Sequence, residues 1–175
     1  MNSIKKTSLL SIFFLAAILI FGQSASAQEK TGFEVLSGKD QIKAVVPTSF
    51  YFAGLSAGTQ MRNSAAAKLG EKRYLVAGLV DVSGYSTEIQ GFYEGFFITD
   101  SPVNFGDQTL DVGAYGFGFS KDGKVNLYDL GGNKIKSAST SSDKGLKRPT
   151  PLMMATEENG IRFYRGRDYV VISPR

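Results

Sequence analysis

The segment from Ala114 to Ser120 alternates small residues with aromatic ones, and this period of two predicts a β-strand rather than a helix. Tyr115, Phe117 and Phe119 fall on one face of that strand. The positions between them carry only alanine or glycine, so the other face presents nearly bare backbone. We therefore expect large side chains from elsewhere to pack on that second face.

Four short turn signals separate the segments in the second half of the chain. Asp122-Gly123 is a dipeptide typical of a type I′ hairpin turn, which predicts antiparallel pairing of the two strands beside it. Similar signals follow at Gly131-Gly132-Asn133, Asn159-Gly160 and Gly166-Arg167. Successive hairpins of this kind predict a meander.

Earlier in the chain, from Ala44 onward, the strand signals are longer and more apolar. Strands are predicted at Ala44 to Phe52, at Arg73 to Val80 and at Phe92 to Thr99. The run at Arg73 to Val80 is almost continuously apolar, as in a strand that is covered on both faces. Residues 59–69 fit a helix as well as a strand, and we favour a strand or irregular structure there. Ser86 to Tyr93 fits a single helical turn.

The fold class predicted from these patterns is all-β. We expect an antiparallel meander of roughly eight to ten short strands that forms a small barrel or a sandwich. Periodicity reports which residues share a face and not whether a sheet closes, so the two architectures stay open. Residues 44–175 form the single predicted domain, and the polar residues 28–43 form a flexible leading segment.

The first 27 residues have the pattern of an N-terminal signal peptide. Lys5 and Lys6 precede an apolar run from Leu9 to Phe21, and Ala25-Ser26-Ala27 provides small residues at the positions that signal peptidase recognises. The mature chain is expected to begin at Gln28 and to be periplasmic or secreted. Its apolar run is short for a membrane span, so we expect no transmembrane segment after cleavage.

The amino-acid composition excludes several classes of enzyme. The chain has no cysteine, histidine or tryptophan. Thiol nucleophiles, disulfides, Ser-His-Asp triads and zinc sites built on His or Cys are therefore excluded. We predict no cofactor, no metal site and no catalytic residue. The carboxylate-only hydrolase that remains would draw on Asp81, Glu88, Glu94 and Asp100.

Four segments of the chain resemble small secreted bacterial β-proteins of unknown function. They are Asp107 to Phe119, Asp129 to Asn133, Lys147 to Pro149 and Tyr164 to Arg167. The similarity spans residues 60–170 and consists of structural turns. The resemblance implies export and a β fold, and it assigns no functional residue.

The leading functional hypothesis is a non-enzymatic domain that binds a small apolar ligand or a component of the cell envelope. Candidate ligand contacts are the aromatic residues Tyr115, Phe117 and Phe119, with Phe96 and Tyr128 behind them. The alternative for these rings is that they pack on one another in the core.

A second hypothesis rests on the distribution of charge. The chain carries 20 Lys and Arg against 16 Asp and Glu, and the basic residues are concentrated after residue 132. A basic surface there would suit an anionic envelope component, whereas nucleic acid is not an expected partner. The oligomeric state stays open. The residues assigned to this surface are Lys147, Arg148, Arg162, Arg165 and Arg167.

Overall fold

Fourteen β-strands and two short helices account for the regular structure in residues 32–175, the part of the chain that the computed structural model describes. The predicted signal peptide lies outside these residues, as do residues 28–31 of the predicted leading segment. The strands are β1 (Phe33–Val35), β2 (Ser49–Phe52), β3 (Leu55–Leu69), β4 (Arg73–Val80), β5 (Gly95–Thr99), β6 (Val103–Phe105), β7 (Gln108–Leu110), β8 (Gly113–Ser120), β9 (Lys124–Tyr128), β10 (Lys134–Ser139), β11 (Ser141–Ser142), β12 (Met153–Glu157), β13 (Gly160–Arg165) and β14 (Asp168–Pro174). The helices are α1 (Lys39–Val45) and α2 (Thr87–Gln90).

The strands form two sheets in which every neighbouring pair is antiparallel. The eight-stranded sheet has the order β1-β3-β4-β5-β8-β9-β10, with β2 also paired to β3. The six-stranded sheet has the order β12-β13-β14-β6-β7, with β11 also paired to β14. The predicted all-β, antiparallel class is therefore confirmed.

Of the two architectures left open the barrel is excluded, and the predicted number of strands is wrong. Neither sheet closes into a barrel, because within residues 32–175 each sheet ends on strands that have a hydrogen-bonded neighbour on one side only. The number of strands also exceeds the roughly eight to ten predicted. Strands of two or three residues, such as β1, β6, β7 and β11, are too short to show a periodic pattern in the sequence.

The meander is confirmed locally, but the chain leaves the eight-stranded sheet twice, for β6 and β7 and again after β10. The predicted β8–β9 hairpin forms, with Ser120 paired to Lys124. Its connection has three residues, and of these only Gly123 has a positive φ, at 75°. A type I′ turn needs two such residues, so the predicted turn type is wrong. Between β5 and β8 the chain crosses to the other sheet to form β6 and β7.

The first half of the domain confirms the predicted strand at Arg73 to Val80 and corrects the starts of two others, of which Phe92 to Thr99 begins only at Gly95. Residues 59–69 belong to β3, and α2 provides the predicted helical turn. The predicted strand at Ala44 to Phe52 is wrong at its start, because α1 continues to Val45 and β2 begins only at Ser49. Pro47 lies between them, and it disfavours helical backbone at the residue before it.

Residues 33–35, which the sequence analysis placed in the leading segment, form β1 on the eight-stranded sheet. Phe33 pairs with Leu69 and Val35 pairs with Ala67. The side chain of Phe33 is buried. This alternation of apolar residues explains why so short a segment docks on the sheet.

The two sheets pack against each other through one shared core. Phe163 from the six-stranded sheet contacts Phe97 and Phe117 from the eight-stranded sheet, with ring centroids 5.7 and 5.3 Å apart. We call this shared core the inner core. A second cluster, the outer core, covers the opposite face of the eight-stranded sheet. Its buried residues include Phe50, Phe52, Val76, Tyr85, Tyr93, Phe96 and Tyr128.

The β2–β3 hairpin, which covers part of the outer core, turns through a strained residue. Ala53 has a φ of +47° and Gly54 a φ of +85°, the combination that a type I′ turn requires. Alanine is disfavoured at positive φ because its Cβ approaches the backbone. The Ala53 N–H donates to the Leu130 carbonyl oxygen at 2.8 Å, which holds the turn against the β9–β10 connection.

Ala53→Gly is expected to stabilise the protein by about 0.5–1 kcal/mol, because glycine adopts this backbone conformation without a steric cost. Urea denaturation measures the change. The matched control is Ala57→Gly in β3 of the same hairpin, which is expected to lose about 0.5–1 kcal/mol. A loss of stability in Ala53→Gly equal to that of the control would show that the strain is absent.

Candidate ligand-binding groove

The three aromatic residues predicted to line a pocket on β8 face the inner core. The side chain of Phe117 has no exposed surface, and Phe119 and Tyr115 pack against the same cluster. The Phe117 and Phe119 rings lie 6.1 Å apart, edge to face. The Tyr115 hydroxyl donates to the Asp111 carbonyl oxygen at 2.9 Å. These rings contact other side chains of the protein.

Phe96 and Tyr128 lie on the opposite face of the same sheet. Phe96 pairs with Gly116, and Gly116 pairs with Tyr128, so all three positions share the outer face. The ring of Phe52 lies directly over Gly116, where a Cβ atom would collide with it. The bare face predicted from the glycines is thus filled by an aromatic ring. The five predicted ligand contacts are divided between the two faces of the sheet.

Tyr93 is buried at the centre of the outer core. Its ring stacks on Phe52 at 3.8 Å, and Tyr85 meets it edge to face at 5.4 Å. The Tyr93 hydroxyl has no hydrogen-bond partner among residues 32–175. Burial raises the pKa of Tyr93 above its usual value, so this phenol stays neutral across the physiological pH range.

A groove of about 450 Å³ opens on the outer face of the eight-stranded sheet, at the edge of the outer core, and Val76 belongs to both. Val76 and Ile98 pair directly across β4 and β5. Four of the lining residues are aliphatic or proline, one is tyrosine and one is aspartate. They are Val45, Pro47, Tyr74, Val76, Ile98 and Asp100.

The groove exists because the covering elements stop short of this part of the sheet. Phe50 of β2 stacks on Phe96 at 4.9 Å and covers that row. The next row of the same face, with Val76 and Ile98, lies beyond Phe50 and faces the end of α1. The helix α1 ends before Pro47, and the Pro47 carbonyl oxygen accepts a hydrogen bond from the Thr59 hydroxyl at 2.7 Å. This bond fixes the wall of the groove to β3.

Asp100 forms the polar end of the groove and is held in place by its neighbours. Its Oδ2 accepts from the Tyr74 N–H at 2.6 Å, and its own N–H donates to the Tyr74 carbonyl oxygen at 3.1 Å. The Ser101 hydroxyl lies 3.4 Å from the other carboxylate oxygen, Oδ1. Asp100 is exposed and makes no ion pair within the described residues. The groove therefore combines an apolar floor with one fixed anionic group.

Two of the five residues assigned to a basic surface pair with carboxylates of the protein itself. Arg162 pairs with Glu157 and lies 3.8 Å from an Asp143 oxygen, and hydrogen bonds to Tyr164 and Glu157 raise its pKa above the usual value. Arg165 pairs with Glu94 at 3.1 Å. The Arg165–Glu94 pair joins residues that are 71 positions apart in the sequence.

The other three members of that set lie on or beside the loop between β11 and β12. Arg167 donates to the carbonyl oxygens of Asp143 and Lys144 at 3.4 Å, and to that of Leu146. Lys147 and Arg148 are exposed on this loop. Neither forms an ion pair within residues 32–175.

The carboxylates considered for hydrolysis are dispersed. Both oxygens of Glu94 are occupied, one by Arg165 and the other by the Phe119 N–H at 3.0 Å. Glu88 is exposed on α2. Asp81 bonds Ser83, which lowers the pKa of that carboxyl. Within the described part of the chain, no three acidic side chains converge to hold a metal ion.

No protein-family model, curated protein or solved structure matches this chain. Neither helix in residues 32–175 has the length and apolar content needed to cross a membrane.

The groove residues were not predicted as a site from the sequence. Val76 and Ile98 lie in predicted strands, and Asp100 was considered only as a hydrolytic carboxylate. Alternation along β4 places Tyr74 and Val76 on one face, and this shared face could be predicted from the sequence. No signal showed that β4 and β5 are neighbours or that α1 ends beside them.

Proposed function

We propose that this protein is an exported, non-enzymatic binding protein that holds a small apolar ligand in the groove between α1, β4 and β5. The observation that carries the proposal is the mainly apolar lining of the groove, in which Asp100 is the one charged residue. Its volume of about 450 Å³ falls within the range of small-molecule sites. The signal-peptide pattern before Gln28 supports a periplasmic or secreted location.

The affinity expected of such a groove is modest. Burial of one methylene group contributes about 0.8 kcal/mol, and the groove is open on one side, so an eight-carbon chain is only partly buried. After the cost of immobilising the ligand, the dissociation constant for a plain alkyl probe is on the order of 100 µM. Calorimetric titration with 1-octanol covers this range.

Ile98→Gln is expected to weaken the binding of 1-octanol about tenfold, because an amide in the floor loses its water without gaining a partner. The matched control is Val171→Gln. Val171 is also a β-branched strand residue, but it is exposed on the six-stranded sheet. The control is expected to bind 1-octanol within about twofold of the unmodified protein. Equal affinities for the two variants would refute the groove as the binding site.

The alternative function is docking on the cell envelope through a basic surface. The observation in its favour is the exposed pair Lys147 and Arg148. Arg162 and Arg165 are already paired with carboxylates, which reduces the charge they offer to a partner. We therefore place this alternative second. The carboxylate-based hydrolase is the least favoured, because Glu94 is committed to Arg165 and to the backbone of Phe119.

A further inference from the structure

Asp100 gives the groove one fixed negative group, and we propose that the natural ligand is an alkylamine-like molecule whose protonated nitrogen binds there. The inference rests on the proposed function and goes beyond it, because it names the charge and the position of the ligand's polar group. The apolar part of the ligand lies on Val76 and Ile98, and the ammonium group lies at Asp100.

The carboxylate is positioned before any ligand arrives. The Tyr74 N–H binds Oδ2, and the backbone N–H of Asp100 binds the Tyr74 carbonyl oxygen. These two bonds fix the side chain at the end of β5, so little conformational entropy is lost when it contacts a ligand. Oδ1 has the Ser101 hydroxyl as its neighbour at 3.4 Å and retains capacity to accept a further bond.

Tyr74 adds an aromatic ring to the same end of the groove. Its side chain lines the groove together with Asp100, and its backbone is bonded to the Asp100 carboxylate. An ammonium group is attracted both by a carboxylate and by the face of an aromatic ring. A neutral head group gains no charge–charge attraction, and an anionic head group is repelled by the carboxylate.

Four basic residues lie on the elements around the groove, and each of them would favour an anionic ligand. Lys39 and Lys43 are on α1, Arg73 is on β4, and Lys68 of β3 pairs with Tyr74. None of the four lines the groove, and none forms an ion pair with Asp100. The charge that a bound molecule meets in direct contact is therefore negative.

The test compares three probes of equal chain length, which are octylamine, 1-octanol and octanoate. At pH 7 and low ionic strength, octylamine is expected to bind about fivefold more tightly than 1-octanol, in line with one solvent-accessible charge pair. Octanoate is expected to bind most weakly. Added salt is expected to reduce the advantage of octylamine, because exposed charges are screened.

Asp100→Asn is the decisive variant. Its amide oxygen retains an acceptor for the Tyr74 N–H while the charge is removed. It is expected to bind octylamine and 1-octanol equally. The matched control is Asp81→Asn at the opposite end of β4, where the carboxylate accepts from the Ser83 N–H. That variant is expected to keep the fivefold preference.

The outcomes separate the two proposals. If 1-octanol binds but octylamine binds no more tightly, or if Asp100→Asn keeps the preference, the amine assignment is overturned and the groove stands. If octanoate binds most tightly, the assignment is also overturned. If none of the three probes binds, the proposed function itself fails. Thermal melts of Asp100→Asn and Asp81→Asn show whether a loss of binding is caused by unfolding.

Discussion

Gly118→Ala is expected to destabilise the protein by about 3 kcal/mol or more, at the upper end of what overpacking causes. A Cβ atom at this position would overlap the carbonyl oxygen of Phe92 and would lie 2.9 Å from its carbonyl carbon. Both obstacles are backbone, so no rotamer change relieves the overlap. The adjacent backbone cannot shift freely, since the Glu94 N–H donates to the Phe117 carbonyl oxygen at 2.9 Å.

Urea denaturation followed by circular dichroism measures this loss. The matched control is Gly58→Ala in β3, where a Cβ atom would meet no heavy atom within 4 Å. The control is expected to be neutral or slightly stabilising, because alanine restricts the unfolded chain more than glycine does. If the two variants have equal stability, the close approach of residues 92–93 to β8 is wrong.

Phe163→Ala is expected to cost about 3–5 kcal/mol, the range for removing a fully buried aromatic side chain. The Phe163 ring has no exposed surface, and it packs against aromatic rings of both sheets. Its centroid lies 5.3 Å from that of Phe117 and 6.4 Å from that of Phe105. Its loss would leave a cavity where the two sheets meet.

Chemical denaturation again provides the measurement, with Tyr51→Ala as the control. Tyr51 is an aromatic strand residue that is 56 % exposed, so its truncation is expected to change stability by about 0.5 kcal/mol or less. If Phe163→Ala does not fold, Phe163→Leu is expected to fold with an intermediate loss. A cost for Phe163→Leu no larger than that of Tyr51→Ala would contradict the packing of the two sheets on this ring.

The local strand structure could be predicted because it depends on patterns within single segments. The alternation at Tyr115, Phe117 and Phe119 correctly assigned those rings to one face, and the glycines between them correctly marked a face that accepts other side chains. The hairpin of β8 and β9 followed from the same alternation and from Gly123. Each of these inferences depended only on residues that are close to one another in the sequence.

Relations between distant segments could not be predicted in the same way. Phe96 was expected behind the β8 rings, but its register with Gly116 places it on the opposite face. A shift of one residue in that register would have reversed the result, and no sequence signal fixes it. No pattern in the sequence indicates the strand order that places Val76 beside Ile98.

The charged residues show the same limit. The basic residues are concentrated near the C-terminus of the sequence, yet Arg165 of β13 pairs with Glu94, which directly precedes β5 of the other sheet. The concentration of basic residues in one part of the sequence therefore did not predict a basic surface in the folded protein. The acidic side chain of Asp100 is evident from the sequence, but its hydrogen bond with the Tyr74 N–H depends on the pairing of β4 with β5.

The most direct test of the groove is an NMR titration of the ¹⁵N-labelled protein with 1-octanol. We predict saturable shifts that are largest at the backbone amides of Tyr74, Val76, Ile98 and Asp100, which line the groove. Small or absent shifts are predicted at Phe117 and Phe119, because these rings face the inner core. Shifts centred on Phe117 and Phe119, or no saturable shift at the groove, would contradict the account.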